Sequence, residues 1–348
     1  MIKLLKSEDQ ALKFSSSLYP SITPIPQEVE RPLWSVMIPT YNGTKYLEQT
    51  LRSVLEQDLG ISQMQIEVID DCSTKDDPES LVKEIGRGRV SFFRQPRNVG
   101  LVNNWNACIQ RSRGYWVHIL HQDDIVLPGF YNQLLAATQA SPAVGAAFCR
   151  HAYIDGDEHW QGLSEIESRT SGILVNWIER IAVAQRIQFP AMVVKRCVYE
   201  ELGGFLSKVH FAADWEMWKR IASHYQIWYE PRILACYRMH NYSETSRLAK
   251  SGSDIVDIRK AIEIAEAYLP QDKAHFLSLK AKEHFAFHAL STARRMLSQN
   301  ELIGAANQIQ EAFRCSRSFK VFQSSLPLIR SLVKRSILYK SRQLWNQL

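Results

Sequence analysis

The sequence has no run approaching the ~18 uncharged apolar residues that a membrane-spanning helix needs. Its first residues, MIKLLKSEDQ, lack the apolar core of a signal peptide, so a folded protein that stays in the cytoplasm is expected. Cysteine is scarce, with six in 348 residues and no two of them in a CxxC pair. Zinc-binding and redox roles are set aside, and six reduced thiols packed as small apolar side chains are expected. Also absent are GxxxxGKS/T and GxGxxG, the glycine-rich loops with which P-loop ATPases and dinucleotide-binding oxidoreductases cradle phosphate. If a sheet in this chain binds a nucleotide, a metal must neutralise most of the diphosphate charge.

What is present is ordinary globular composition, 45% hydrophobic and 22% charged, which excludes disorder and suffices for one large domain with a smaller one. The net charge of +6 is unevenly placed. Residues 34–249 hold 22 basic and 24 acidic side chains, whereas residues 250–348 hold 16 and 8. The excess therefore belongs to the C-terminal part and does not argue that the main domain binds nucleic acid.

Four prolines between residues 20 and 32 block regular structure, so residues 1–33 read as an N-terminal extension or linker. WSVMIPTYN and IEVIDD then supply two short apolar runs, separated by KYLEQTLRSVLEQ with Leu47, Leu51, Val54 and Leu55 at helical spacing. Strand, helix and strand in so short a span predict a βαβ unit and a parallel sheet. PESLVKEIGR, VSFFRQ, NNWNACIQRS and WVHIL continue the alternation. Polar clusters follow three of the strands: Thr40-Tyr41-Asn42, Asp70-Asp71 and Asp123-Asp124. Ligands of open parallel sheets bind outside the carboxyl ends of the strands. Two acid pairs at such ends repel unless a cation relieves them, and hard carboxylate oxygens suit Mg²⁺ or Mn²⁺. From residue 250 onward the periodicity is helical throughout, which predicts an α-helical appendage over 250–348 beside a main domain over 34–249.

In order and spacing, VMIPTYNGTKYLEQTLRSVLEQ, IEVIDDCSTKD, NVGLVNNWNACIQRSRGYWVHILHQDD, VYEELGGF, ADWEMWKRIA and YRMHNYS resemble the family 2 glycosyltransferases with the GT-A fold. The resemblance covers residues 34 to about 245. It implies an α/β fold with a mostly parallel sheet flanked by helices, a nucleoside-diphosphate sugar as donor, a saccharide or lipid-linked acceptor, a divalent metal and inverting transfer. By position, Pro39, Thr40, Tyr41 and Asn42 match the first nucleotide-binding loop, and Asp71 matches the acid that recognises base or ribose. Asn98, Gly100 and Asn106 fall in the segment lining the donor pocket. Asp123 matches the last acid of the DxD motif, with Asp124 and His240 as further metal ligands and Arg238 beside the phosphates. His121 replaces the first acid of that motif, which weakens the inference of metal dependence and makes His121 a candidate donor to ribose or phosphate. Asp214 matches the general base. A role in surface polysaccharide or lipopolysaccharide synthesis is what the resemblance implies.

Two other readings share the sheet. A sugar nucleotidyltransferase carries a glycine-rich basic loop after the first strand, but PTYNGTKY has one glycine and one lysine. A catalytically silent scaffold is the alternative that His121 motivates. The tail leaves its own alternatives open. From Ala312 to the C-terminus there are eight basic residues and no acidic one. With Pro327 in the first turn of a helix, Ile329, Leu332, Val333, Ile337 and Leu344 fall in a sector of about 140°, and Arg330, Lys334, Arg335 and Arg342 in another. Such a helix either lies on an anionic membrane surface, peripheral to its inner face, or packs on the appendage with its basic face solvated.

Overall fold

The alternation of strand and helix read from the sequence is realised as β1 (Trp34–Thr40), α1 (Thr44–Leu55), β2 (Met64–Asp70), α2 (Pro78–Gly86), β3 (Ser91–Arg94), α3 (Leu101–Arg111) and β4 (Trp116–Ile119). The computed structural model describes residues 18–239 and 244–345; His240 and the side chains of Arg342 and Leu344 lie outside the described residues. Every residue of β1, β2 and β4 is buried, as expected of parallel strands with both faces covered. β2 and β4 flank β1 in parallel, and β3 joins β2 at the edge. The three polar clusters are thereby set side by side at one end of the sheet.

The second half is β5 (Ile125–Val126), α4 (Phe130–Ala140), β6 (Val144–Ile154), β7 (Trp160–Leu163), β8 (Gly172–Ile173), α5 (Trp177–Ile181), β9 (Met192–Lys195), α6 (Arg196–Leu202), α7 (Ala213–His224) and β10 (Gln226–Arg238). The main path of the sheet runs β3-β2-β1-β4-β9-β6-β10-β5. β9 is antiparallel to both neighbours, while β10 and β6 are parallel. Pro231 sits where the β10–β6 register breaks between Glu230 and Ile233, a place where a residue without an N–H costs no ladder bond.

The appendage consists of α8 (Glu244–Ser251), α9 (Ser253–Ala265), α10 (Ala274–Ser298), α11 (Leu302–Cys315) and α12 (Phe319–Trp345). It shares one hydrophobic core with the sheet. Trp215 of α7 packs on Phe285 with ring centroids 4.8 Å apart, and Lys219 Nζ donates to the Ala261 carbonyl. α7 is thus held by both α10 and α9. The N-terminal segment is no free linker from residue 18 onward. Ile22 is buried in the core, Arg31 donates to the carbonyls of Arg113 and Gly114, and Tyr19 lies under the Arg220 guanidinium. All six cysteines are free thiols. Among the described residues no helix is long and apolar enough to cross a membrane.

α12 corrects one expectation. Pro327 lies inside the helix, not in its first turn. FKVFQSS already belongs to the helix because Val321 and Ser325 are buried one turn apart. Pro327 itself is exposed, so the carbonyl that its missing N–H leaves unbonded lies on the side open to water.

Candidate active site

Backbone geometry first joins the ends of β1 and β2. The N–H of Asp71 donates to the Thr40 carbonyl, and Asn42, in the left-handed region at φ 48°, accepts from the N–H groups of Thr74 and Lys75. Asn tolerates that conformation better than most residues. Tyr41 projects beside them and is 44% exposed. Asp70 and Asp71 differ in environment. Asp70 is fully buried and paired with Arg94 and Ser73, which makes it an internal tie. The carboxylate of Asp71 accepts from the N–H groups of Val99 (2.7 Å) and Gly100 (2.9 Å) at the start of α3. Burial pushes its pKa up against these two bonds. Asn98 donates to the Asp71 carbonyl, so Asp71, Asn98 and Gly100 form one unit. Gly100 has φ 86°, which favours glycine.

Gln122 then links β4 to β1. Its side-chain oxygen accepts from Thr40 Oγ1 (2.5 Å) and the Tyr41 N–H (2.8 Å). A Cβ on Gly43 would run into that carboxamide. Gly43→Ala is therefore expected to push Gln122 aside and loosen the Thr40–Tyr41 loop. Each lost hydrogen bond is worth about 1 kcal/mol, which corresponds to a rise in donor KM of roughly five- to thirtyfold at nearly constant kcat, measured by initial rates against donor concentration.

Around Gln122, one donor atom each from His121, Asp123 and Asp124 lie within 4.8 Å of one another. Asp124 is buried; its Oδ1 accepts from the Arg238 N–H, and its Oδ2 has no hydrogen-bond partner. Burial, then the charge of Asp123, push the Asp124 pKa well up. His121 stacks on Trp105 at 5.3 Å and packs against Phe189 at 4.4 Å. Burial lowers its pKa to about 4, and its Nε2 is unpartnered. A neutral imidazole, a half-buried acid and a buried carboxylate with an unused oxygen make a donor set that fits a divalent cation such as Mn²⁺.

Two residues expected in the donor site hold the framework instead. Arg238 is buried, and its guanidinium donates to the carbonyls of Asp123, Asp155 and Gly156 and to Gln49 Oε1 while lying 4.4 Å from the Tyr46 ring centre. It clamps the Asp123–Asp124 turn rather than presenting a free charge to phosphate. Asn106 exchanges two hydrogen bonds with the backbone of Phe205, joining α3 to the Gly203–Phe205 loop. Gly204 allows that approach, since a Cβ there would strike Asn106 Oδ1.

The same loop is gripped from beneath by Arg220, which donates to the carbonyls of Leu202 (2.5 Å) and Gly204 (2.9 Å) and pairs with Glu216 at 2.9 Å, both side chains fully buried. Arg220→Met is expected to destabilise the protein by about 3–5 kcal/mol, because it leaves Glu216 as an unpaired buried charge. Urea denaturation measures this, and Glu216→Gln added to Arg220→Met should recover part of the loss.

Asp214 occupies the first turn of α7. Its Oδ1 accepts from the Trp215 N–H (2.6 Å) and its Oδ2 from Gln185 Nε2 (2.7 Å). Desolvation raises its pKa to about 7 in spite of both bonds. Trp215, Trp218 and Ile221 are buried on the apolar side of α7. Phe189 connects this helix to the acidic cluster: its ring contacts His121, Trp105, Phe205 and Trp218 at centroid distances of 4.4 to 5.5 Å. Gln185 and Phe189 were not foreseen, and nothing local in QRIQFP distinguishes them from other loop residues.

A sheet that changes from parallel to antiparallel beside β4, with its strand-end loops converging on an acidic cluster, defines the GT-A class of nucleotide-sugar transferase folds. The model of glycosyl transferase family 2 matches residues 35–198 of the chain. The chain is 28% identical over 243 residues to protein MT1568 of Mycobacterium tuberculosis, covering 67% of this chain and 75% of the relative. Among solved structures it is similar to residues 1-349 of Staphylococcus aureus TarS, with a TM-score of 0.59 at 14% identity, covering 89% and 91% of the two chains; TarS is also solved with UDP-GlcNAc. It is similar too to the mannosyltransferase PcManGT of Pyrobaculum calidifontis in complex with GDP-Man and Mn²⁺, with a TM-score of 0.52 at 20% identity, covering 98% and 93%.

Proposed function

We propose that this protein is a family 2 glycosyltransferase that moves a sugar from a nucleoside-diphosphate donor to an acceptor hydroxyl with inversion, in the synthesis of a surface polysaccharide or lipopolysaccharide, with a saccharide or lipid-linked acceptor. The observation that carries the reading is Asp214, a carboxylate whose pKa is raised to about 7 by desolvation and which lies on α7, the helix whose Trp218 packs on Phe189, itself packed on His121. Each of its oxygens accepts a single hydrogen bond in the protein, which leaves lone-pair capacity for an acceptor O–H.

In the proposed step Asp214 takes the proton from the acceptor hydroxyl while that oxygen bonds to the anomeric carbon. The bond from the anomeric carbon to the diphosphate breaks, and its electron pair leaves with the nucleoside diphosphate. Tyr41, Asp71, Asn98 and Gly100 stand at the strand ends to receive the nucleoside, with Pro39, Thr40 and Asn42 shaping the loop. Asp123, Asp124 and His121 would hold a divalent cation, which when bound supplies positive charge to the diphosphate. His240 is retained as a further proposed ligand.

A panel of nucleotide sugars with Mn²⁺, assayed for nucleoside diphosphate release, tests the proposal. Release from one donor, stimulated by acceptor saccharide, is expected. The silent-scaffold reading, favoured by His121 in place of an acid, requires no release from any donor.

A further inference from the structure

α12 packs on the protein by one face and leaves a second, chemically sorted face open. Val321, Ser325 and Leu328 are buried, and Leu332 packs against the core. At ~100° per residue, Phe319, Phe322, Val333 and Ile337 occupy an adjoining sector of about 60°, and all four are exposed, Phe319 at 75% and Ile337 at 61%. Lys320, Arg330 and Lys334 are also exposed and fall in the next sector, about 80° wide. The apolar sector expected from the sequence is therefore divided, with Leu332 turned to the core and Val333 to solvent.

The apolar stripe does not end with α12. Ser318, just before it, donates to Glu283 on α10. Leu279 and Phe287, one turn to either side of Glu283 on the same face of α10, are exposed as well. Contiguous apolar surface of this kind marks an interaction site. Its position beside a basic stripe, in a stretch with eight basic residues and no acidic one from Ala312 onward, specifies the partner. A nucleic acid would use the cations and leave exposed Phe, Val and Ile side chains in water. The headgroup and acyl boundary of an anionic bilayer satisfies both stripes.

We propose that the exposed face of α12, continued by Leu279 and Phe287 of α10, docks this protein on anionic membrane surfaces, with Phe319, Phe322, Val333 and Ile337 entering the interface and Lys320, Arg330 and Lys334 meeting lipid phosphates. The helix does not unfold from the protein to do so, because the face that holds it to α10 and α11 is a different one.

Sedimentation of the full-length protein with phosphatidylglycerol-containing vesicles, against pure phosphatidylcholine vesicles, tests the surface. Binding to the anionic vesicles alone is expected, weakening with salt. Arg330→Glu with Lys334→Glu should lower the partition coefficient more than about tenfold. Phe322→Ser with Val333→Ser should lower it comparably at low salt. All four positions are exposed, so thermal midpoints should stay at the wild-type value, and Phe322→Trp should show a blue-shifted emission on binding. Equal sedimentation of wild type and variants, or none with anionic vesicles, overturns the proposal. So does a concentration-dependent dimer in sedimentation velocity that the Ser variants dissolve, which would assign the face to a second copy of the chain.

Discussion

Asp214→Asn is expected to lower kcat/KM by about 10²–10⁴, the usual contribution of a positioned general base, while nucleoside diphosphate affinity stays at the wild-type value. The amide keeps the size of the carboxylate and its acceptor for the Trp215 N–H, but it cannot take a proton. Because burial raises the Asp214 pKa to about 7, the wild-type rate should fall about tenfold per unit as pH drops below about 7. An ordinary aspartate would place that limb near 4. Loss of the limb in Asp214→Asn is the signature of the base. A variant that keeps more than a tenth of the activity, or retains the same limb, rejects the assignment.

The same shift has a consequence for stability with a definite sign. The folded protein holds the Asp214 proton up to about pH 7, whereas the unfolded chain releases it near the ordinary aspartate value of 3.8. Between those values the folded state binds more protons, so stability falls as pH rises through the window and stays lower above it. Three pKa units correspond to a ceiling on the order of 4 kcal/mol. Asp214→Asn removes the dependence, and part of the ceiling is offset because Gln185 must reorient its amide toward the new side chain. At pH 8 the inactive variant should therefore be the more stable protein by thermal unfolding, the trade expected where function needs a desolvated charge.

What could be read from the chain and what could not divide along the sheet. β1 through β4 and α1 through α3 obey local rules: short apolar runs, amphipathic helices between them and acids at the strand ends. The second half depends on partners far apart. β6 is an almost wholly buried run that periodicity alone cannot orient, and β10 carries Pro231, which argues against a strand until the register break is known. Site residues divide in the same way. Asp123, Asp124 and Asp71 announce themselves by type and position, but type alone did not reveal that Arg238 and Asn106 are taken up by backbone partners 82 or more residues away. Gln185 and Phe189 carry no local signal, because their role is a contact with α7 and β4 that only the folded chain creates. Tyr19, in a proline-rich segment that read as linker, lies against Arg220 for the same reason.

Asp123→Ala should weaken nucleoside diphosphate binding in the presence of Mn²⁺ by more than about 100-fold, beyond the 10–100-fold typical of residues that only support a metal ligand. The main domain gives the reason for so large a dependence. Residues 34–249 carry two more acidic than basic side chains, Arg238 is engaged with carbonyls, and the sequence has no glycine-rich phosphate loop. On the proposed reading, the diphosphate owes most of its attraction to the cation. Asp124→Asn should act differently. Its Oδ1 accepts the Arg238 N–H, and burial already favours its protonated form, so a neutral amide disturbs the surrounding fold little and costs affinity only when Mn²⁺ is present. Titration calorimetry of a nucleoside diphosphate with Mn²⁺ and with EDTA separates the roles. For Asp123→Ala the loss should vanish in EDTA, where wild type and variant bind equally weakly. An equal loss in both conditions would place Asp123 on the nucleotide itself and remove the cation from the site.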